Sequence, residues 1–134
     1  MAIEIKTGII PDKKELLDLY NDASWTAYTE DIDLLEKAIK NSLKVWTLWD
    51  REKLIGLARI VGDGHTITYL QDILILKAYQ GQGLGSRLLS QIVEENKNIR
   101  QFVLLTDNSE MTKSFYKKAG LLPVGDYDCL AFMK

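Results

Sequence analysis

The decisive stretch is Leu70-Gln71-Asp72-Ile73-Leu74-Ile75-Leu76-Lys77-Ala78-Tyr79-Gln80-Gly81-Gln82-Gly83-Leu84-Gly85-Ser86. An apolar run of strand character enters a glycine-rich turn. Beyond it Leu84, Leu88, Leu89, Ile92 and Val93 recur at the spacing of one helix face. A strand, a glycine-rich loop and a helix start suit a diphosphate. Glycines let the backbone approach phosphate oxygens, and the free N–H groups of the first helical turn, with the positive end of its dipole, face the anion. Glycines that merely turn a strand into a helix would look the same in isolation.

Upstream, the period is that of strands. Lys44 to Trp49, a turn at Asp50 to Lys53 and Leu54 to Val61 make a hairpin. A second tight turn at Gly62 to His65 leads into a long strand, Thr66 to Leu76. Three strands joined by tight turns argue against a dinucleotide fold, which would place helices there and a glycine where Ser86 stands. A Walker loop is excluded because Arg87 follows Ser86 where a lysine must precede the hydroxyl residue.

Nearer the start, Ala2 to Thr7 reads as a strand. Asp12 and Glu15 form a capping box ahead of Leu16, Leu17, Leu19 and Tyr20, and Leu34, Leu35, Ala38 and Ile39 mark a second helix. Ser24 to Glu30 is an aromatic-containing connector. Downstream come a strand at Gln101 to Thr106, a helix at Ser109 to Ala119 stopped by Gly120, and two short strands at Leu121 to Val124 and Cys129 to Met133. The expected architecture is α/β (α+β): a mixed, mostly antiparallel sheet of six to seven strands flanked by about four helices, in one domain over residues 1–134.

The 134 residues suffice for a core without staples, and the single cysteine, Cys129, cannot form an internal bridge. A net charge of −2 disfavours nucleic acid. The absence of a basic-then-apolar leader and of a long apolar run points away from a membrane and toward a cytoplasmic location. His65 has no Cys, His or acidic partner at ligand spacing, so no metal is expected.

Gln80-Gly81-Gln82-Gly83-Leu84-Gly85 resembles the Arg/Gln-x-x-Gly-x-Gly/Ala signature of the GNAT N-acetyltransferases. Ser114-Phe115-Tyr116-Lys117-Lys118-Ala119-Gly120-Leu121 is similar to that family's Phe-Tyr-x-Lys-x-Gly-Phe segment. The element order agrees over nearly all the chain. Ser109 stands where the family often has asparagine, and Leu121 where it has phenylalanine. The resemblance implies acetyl-coenzyme A as cosubstrate. It assigns the pyrophosphate to Gln80, Gly81, Gln82, Gly83, Leu84, Gly85 and Ser86, and the pantetheine arm to the backbone of Ile73, Leu74 and Ile75. It casts Tyr116 as the general acid for the departing thiolate. Trp25 and Tyr28 lie where similar proteins build part of the acceptor pocket.

The protonation step can be weighed directly. A thiol has a pKa of about 8.5 and a phenol about 10, so proton transfer from Tyr116 is uphill by roughly 2 kcal/mol. The amine must also lose a proton, and Asp72 is the ionisable group nearest the end of its strand. It reads either as a carboxylate that orients or deprotonates the amine through water, or as a structural group bonded to a neighbouring loop. Cys129 is not next to a base, which leaves direct attack on the thioester in a ternary complex. The expected reaction is acetylation of a primary amine, with a small molecule mildly favoured as acceptor. The alternative is a non-catalytic coenzyme A-binding or sensing domain. Homodimers are common among similar proteins, but the sequence marks no interface.

Overall fold

The computed structural model describes residues 2–134. The chain runs β1 (Ile3–Thr7), α1 (Lys13–Asp22), a one-turn α2 (Thr26–Thr29), α3 (Ile32–Lys40), β2 (Lys44–Asp50), β3 (Lys53–Gly62), β4 (Ile67–Ile75), α4 (Leu84–Glu95), β5 (Gln101–Leu104) and α5 (Glu110–Lys118). Short 3₁₀ turns lie at Lys77–Tyr79 and Val124–Tyr127. The sheet order is β1-β2-β3-β4-β5. The first three pairings are antiparallel, and β4 and β5, joined through α4, are parallel. The capping box is present: Asp12 Oδ1 accepts from the Glu15 N–H at 2.8 Å, and Glu15 Oε1 accepts from the Asp12 N–H at 3.0 Å.

Two layers cover the sheet. Leu16, Leu19 and Tyr20 of α1 and Leu35 and Ile39 of α3 pack on Val45, Trp49, Leu54, Leu57 and Leu74. On the other face Leu84, Leu88, Leu89 and Ile92 of α4 pack on Trp46, Leu48, Ile55, Ala58, Ile60 and Leu70. Each fully buried side chain of this size stabilises the fold by about 1.5–3 kcal/mol before chain entropy is counted. Trp46 and Trp49 are strand residues serving opposite layers.

Bulges adjust the phase of the strands. In β4, Arg59 lies opposite Asp72 and Ile60 opposite Leu70, so Gln71 is the extra residue. A bulge puts two consecutive side chains on nearly the same side. Before it, Leu70 joins the α4 layer; after it, Asp72 and Leu74 belong to the α1 layer.

The end of the chain departs from the sequence expectation. Leu121 to Val124 and Cys129 to Met133 are not strands, and the sheet has five strands instead of six or seven. Gly120, at φ +90°, stops α5 as expected. The 3₁₀ turn and a left-handed Asp128 (φ +57°) follow. Strand-forming residues make strands only against a partner's hydrogen-bonding edge, and this segment meets none within its own chain. Leu130 and Phe132 are 81% and 89% exposed.

Candidate active site

The site begins where two strands part. β5 pairs with β4 only from Ile67↔Gln101 to Leu70↔Leu104, whereas β4 continues to Ile75. The main chain from Gln71 to Ile75 therefore has no strand on its β5 side, and its polar groups on that side face an open cleft. The overhang is rigid because its other edge is held by β3, through Leu57↔Leu74 and Ala58↔Ile73. Leu74 is buried in the α1 layer, while Ile73 and Ile75 pack half-buried on the α4 layer.

The glycine loop closes the end of this cleft. The Leu76 N–H donates to the Ile55 carbonyl at 2.8 Å, and Gln80 Nε2 donates to the Ile75 carbonyl at 3.0 Å. The Tyr79 hydroxyl donates to Asp50 Oδ2 at 2.7 Å, anchoring the loop to the end of β2. Gly81 and Gly83 adopt φ of +81° and +78°, conformations that cost an L-residue about 1–2 kcal/mol. A Cβ at either would meet nothing within 4 Å, so the backbone face is open to a ligand. Gly85 differs: its missing side chain lets the Phe115 ring approach to 3.4 Å of where a Cβ would stand.

Helix starts provide a further contrast. Asp12, Asp31 and Ser109 cap α1, α3 and α5 by accepting N–H bonds. Gly83, the N-cap of α4, offers no side chain, and the first turn of α4 contains no acidic residue. Its first N–H groups are left for an external acceptor. Gln82, Leu84 and Ser86 complete this turn; Leu84 is buried beneath it.

On the α1 side Asp72 is 2% exposed and its oxygens are fully engaged. Oδ2 accepts from Tyr20 Oη at 2.9 Å and Arg59 Nε at 2.5 Å, and Oδ1 accepts from Tyr28 Oη at 2.8 Å. Gln71 Nε2 donates to the same Tyr28 oxygen at 3.0 Å, since the bulge turns Gln71 and Asp72 the same way. Burial, and then the Asp72 charge, push the Tyr20 phenol far above its ordinary pKa. Burial likewise raises Tyr28. Tyr20, Trp25 and Tyr28 form an aromatic cluster with ring centroids 5.2–6.2 Å apart. The Asp22 carboxylate accepts from the Lys77 N–H at 2.7 Å, which fastens this connector beside the far end of β4.

Tyr116 is half-buried on α5, its ring edge-to-face with Phe115 at 5.0 Å. Burial raises its pKa, the Thr106 hydroxyl pulls the other way, and the nearby Asp107 carboxylate raises it. The phenol thus keeps its proton at neutral pH. Ser109 serves as the α5 cap, and His65 is a turn residue whose N–H donates to Asp63.

The structure places Gln80 to Ser86 at the mouth of the cleft and Ile73 to Ile75 along its wall, and it joins Asp72 to Tyr28. Sequence reading passed over Tyr20 and Arg59 as functional candidates. A charge within Leu57-Ala58-Arg59-Ile60-Val61, a strand covered on both faces, was the available signal, because a buried cation requires a buried anion. Among the described residues no group of three or more potential metal ligands occurs, and no helix is long and apolar enough to cross a membrane.

Comparison with known proteins supplies the class. Residues 41–120 match the acetyltransferase (GNAT) domain model, and the chain belongs to the GNAT acetyltransferase family. A curated relative, an uncharacterized N-acetyltransferase ycf52-like protein of Prochlorococcus marinus, is 33% identical over 115 residues, covering 81% of this chain and 62% of its own length. The chain thus spans about three-fifths of that relative. A GNAT-family acetyltransferase of Streptococcus pneumoniae superposes with a TM-score of 0.87 at 32% identity, covering 99% of this chain and 97% of that one. An aminoglycoside acetyltransferase from a soil metagenomic sample, solved with sisomicin, shares the fold alone, with a TM-score of 0.70 and 15% identity over 98% of this chain and 95% of that one.

Proposed function

We propose that this protein transfers the acetyl group of acetyl-coenzyme A to a primary amine, by direct attack in a ternary complex. The observation that carries the reading is the β4 overhang running into an uncapped helix start. One extended main-chain edge and one anion-seeking helix turn lie end to end, matching an amide-bearing arm that ends in a diphosphate. Gln80, Gly81, Gln82, Gly83, Leu84, Gly85 and Ser86 hold the diphosphate, and the backbone of Ile73, Leu74 and Ile75 holds the arm. The thioester carbonyl then lies in the cleft between β4 and β5.

Tyr116 donates a proton to the sulfur as the carbon–sulfur bond breaks. Its raised pKa makes the donor weaker but always protonated. Trp25 and Tyr28 form the wall on the acceptor side. With both carboxylate oxygens occupied, Asp72 acts on the amine at one remove, by fixing the Tyr28 hydroxyl. A small-molecule acceptor fits the compact aromatic connector.

The test separates binding from chemistry. Acetyl-coenzyme A should bind the wild type calorimetrically and bind Gly83→Val more weakly; equal affinities would remove the loop from the site. Tyr116→Phe should bind the coenzyme normally yet lose about a hundredfold to ten-thousandfold in kcat across a panel of amines followed by thiol release. Normal turnover with chemistry rate-limiting would return Tyr116 to a packing role. Tight coenzyme binding with no transfer to any amine would instead favour a sensing domain.

A further inference from the structure

We infer, resting on the acetyl-transfer reading above, that Gln71 is a specificity-determining residue whose side-chain carbonyl receives an N–H of the attacking amine, with the Asp72 charge relayed behind it. Gln71 is the extra residue of the β4 bulge, one position beyond the last pair with β5, Leu70↔Leu104. It is exposed where the cleft opens. Proton counting fixes how its amide is turned. The Asp72 carboxylate, paired with the Arg59 guanidinium, only accepts, so the hydroxyl protons of Tyr20 and Tyr28 are both committed to it. The Tyr28 oxygen then has no proton to give, and only a donor can meet it. Gln71 therefore presents Nε2, at 3.0 Å, and its carbonyl Oε1 has no partner among the described residues.

Everything inward of that carbonyl is engaged. Both Asp72 oxygens are occupied, and the Tyr28 oxygen gives one bond and receives another. The Arg59 guanidinium carbon stands 5.9 Å from the Tyr28 ring centroid, so a substrate cation on that ring face would meet a like charge already there. Tyr20 and Trp25 crowd the same ring, at centroid separations of 5.2 and 6.2 Å. The outermost free acceptor of the chain is then Gln71 Oε1. It is also a strengthened one. Hydrogen bonds in series polarise one another: the Asp72 charge draws on the Tyr28 hydroxyl, the more negative Tyr28 oxygen draws on the Gln71 N–H, and electron density gathers on Oε1. No proton travels along this chain. The demand for such an oxygen grows during the reaction. As the nitrogen–carbon bond forms, nitrogen turns positive and its N–H becomes a better donor, so a bond made to it favours the transition state over the bound amine. That proton leaves afterwards to water.

The experiment uses the full chain with acetyl-coenzyme A and a broad panel of primary amines, spermidine, glucosamine and phenylethylamine among them, followed by thiol release. Gln71→Met keeps the length of the side chain and removes its polar atoms. For the amine that the wild type turns over fastest, it should lower kcat/KM about tenfold, the effect of one hydrogen bond. The calorimetric dissociation constant of the coenzyme and the denaturation midpoint should stay as in the wild type. Gln71→Glu cannot donate to Tyr28 but keeps an acceptor oxygen. At high salt, where attraction through space is screened, it should retain most of the activity that Gln71→Met loses. Equal losses in the two variants overturn the assignment, since Gln71 would then act only by holding Tyr28. A wild type that binds the coenzyme yet acetylates no amine overturns the transfer reading itself and this assignment with it, whereas transfer that is indifferent to Gln71→Met overturns this assignment alone.

Discussion

On the α1 side of the sheet every buried side-chain nitrogen and oxygen among the described residues has a partner, whereas beyond β5 large apolar side chains stand in water. The first region is a closed system. Three side chains, from α1, α2 and β3, meet at Asp72 of β4, and each bond restrains another. The second is held mainly by local means: the Ser109 cap, the Gly120 stop and the turn at Val124–Tyr127. Self-sufficiency of a packed region and openness of a neighbouring one can thus be built on a single sheet.

The largest expected effect falls on the closed side. Asp72→Ala would leave the Arg59 charge buried and unpaired, so unfolding free energy should fall by about 3–5 kcal/mol. Denaturant titration measures it. A loss within the usual range of surface substitutions would mean that the network is open to water and that the contrast is false.

Tyr20→Phe should cost less, about 1–3 kcal/mol, since one hydrogen bond to a buried carboxylate is lost while the ring remains. It carries a pH signature. Because burial raises the Tyr20 pKa in the folded state, its contribution is whole below the unfolded value of about 10 and is lost as pH rises above it. Stability measured from neutral to strongly alkaline pH should therefore decline less steeply in Tyr20→Phe than in the wild type. Identical slopes would show that Tyr20 does not hold its proton against alkali.

The smallest effect belongs to the open side. Phe132→Ser, measured by the same denaturant titration, should change stability by no more than about 0.5 kcal/mol, as for other exposed positions. A cost of several kcal/mol would show the tail packed on its own chain and would erase the difference between the two regions.

The sequence foreshadowed these regions unequally. The glycine loop, the α4 face and the meander were legible because each is set by local spacing: Gly81 and Gly83 by their backbone freedom, Leu88 and Leu89 by helical period. The Asp72 network was only half legible. Arg59 and Asp72 are thirteen residues apart and meet through a bulged register, which no local pattern reveals. Tyr20 looked like one more apolar member of α1. The terminal strands were misread for the opposite reason: Leu130 and Phe132 have strand composition, but a strand also requires an edge, and edges are a property of the assembled sheet.

The extra residue at Gln71 acts as a change of phase within a single strand. Up to Leu70 the fully buried even-numbered side chains of β4 address α4, whereas beyond the extra residue the even-numbered Asp72 and Leu74 address α1 and the odd-numbered Ile73 and Ile75 take over the α4 side. The bulge thus exchanges the two faces of the strand although the strand itself never leaves the sheet. The cleft wall at Ile73 and Ile75 therefore stands on the same apolar base as Leu70, and a substitution that repacks the layer beneath α4 reaches the wall, while one at Leu74 acts on the α1 layer.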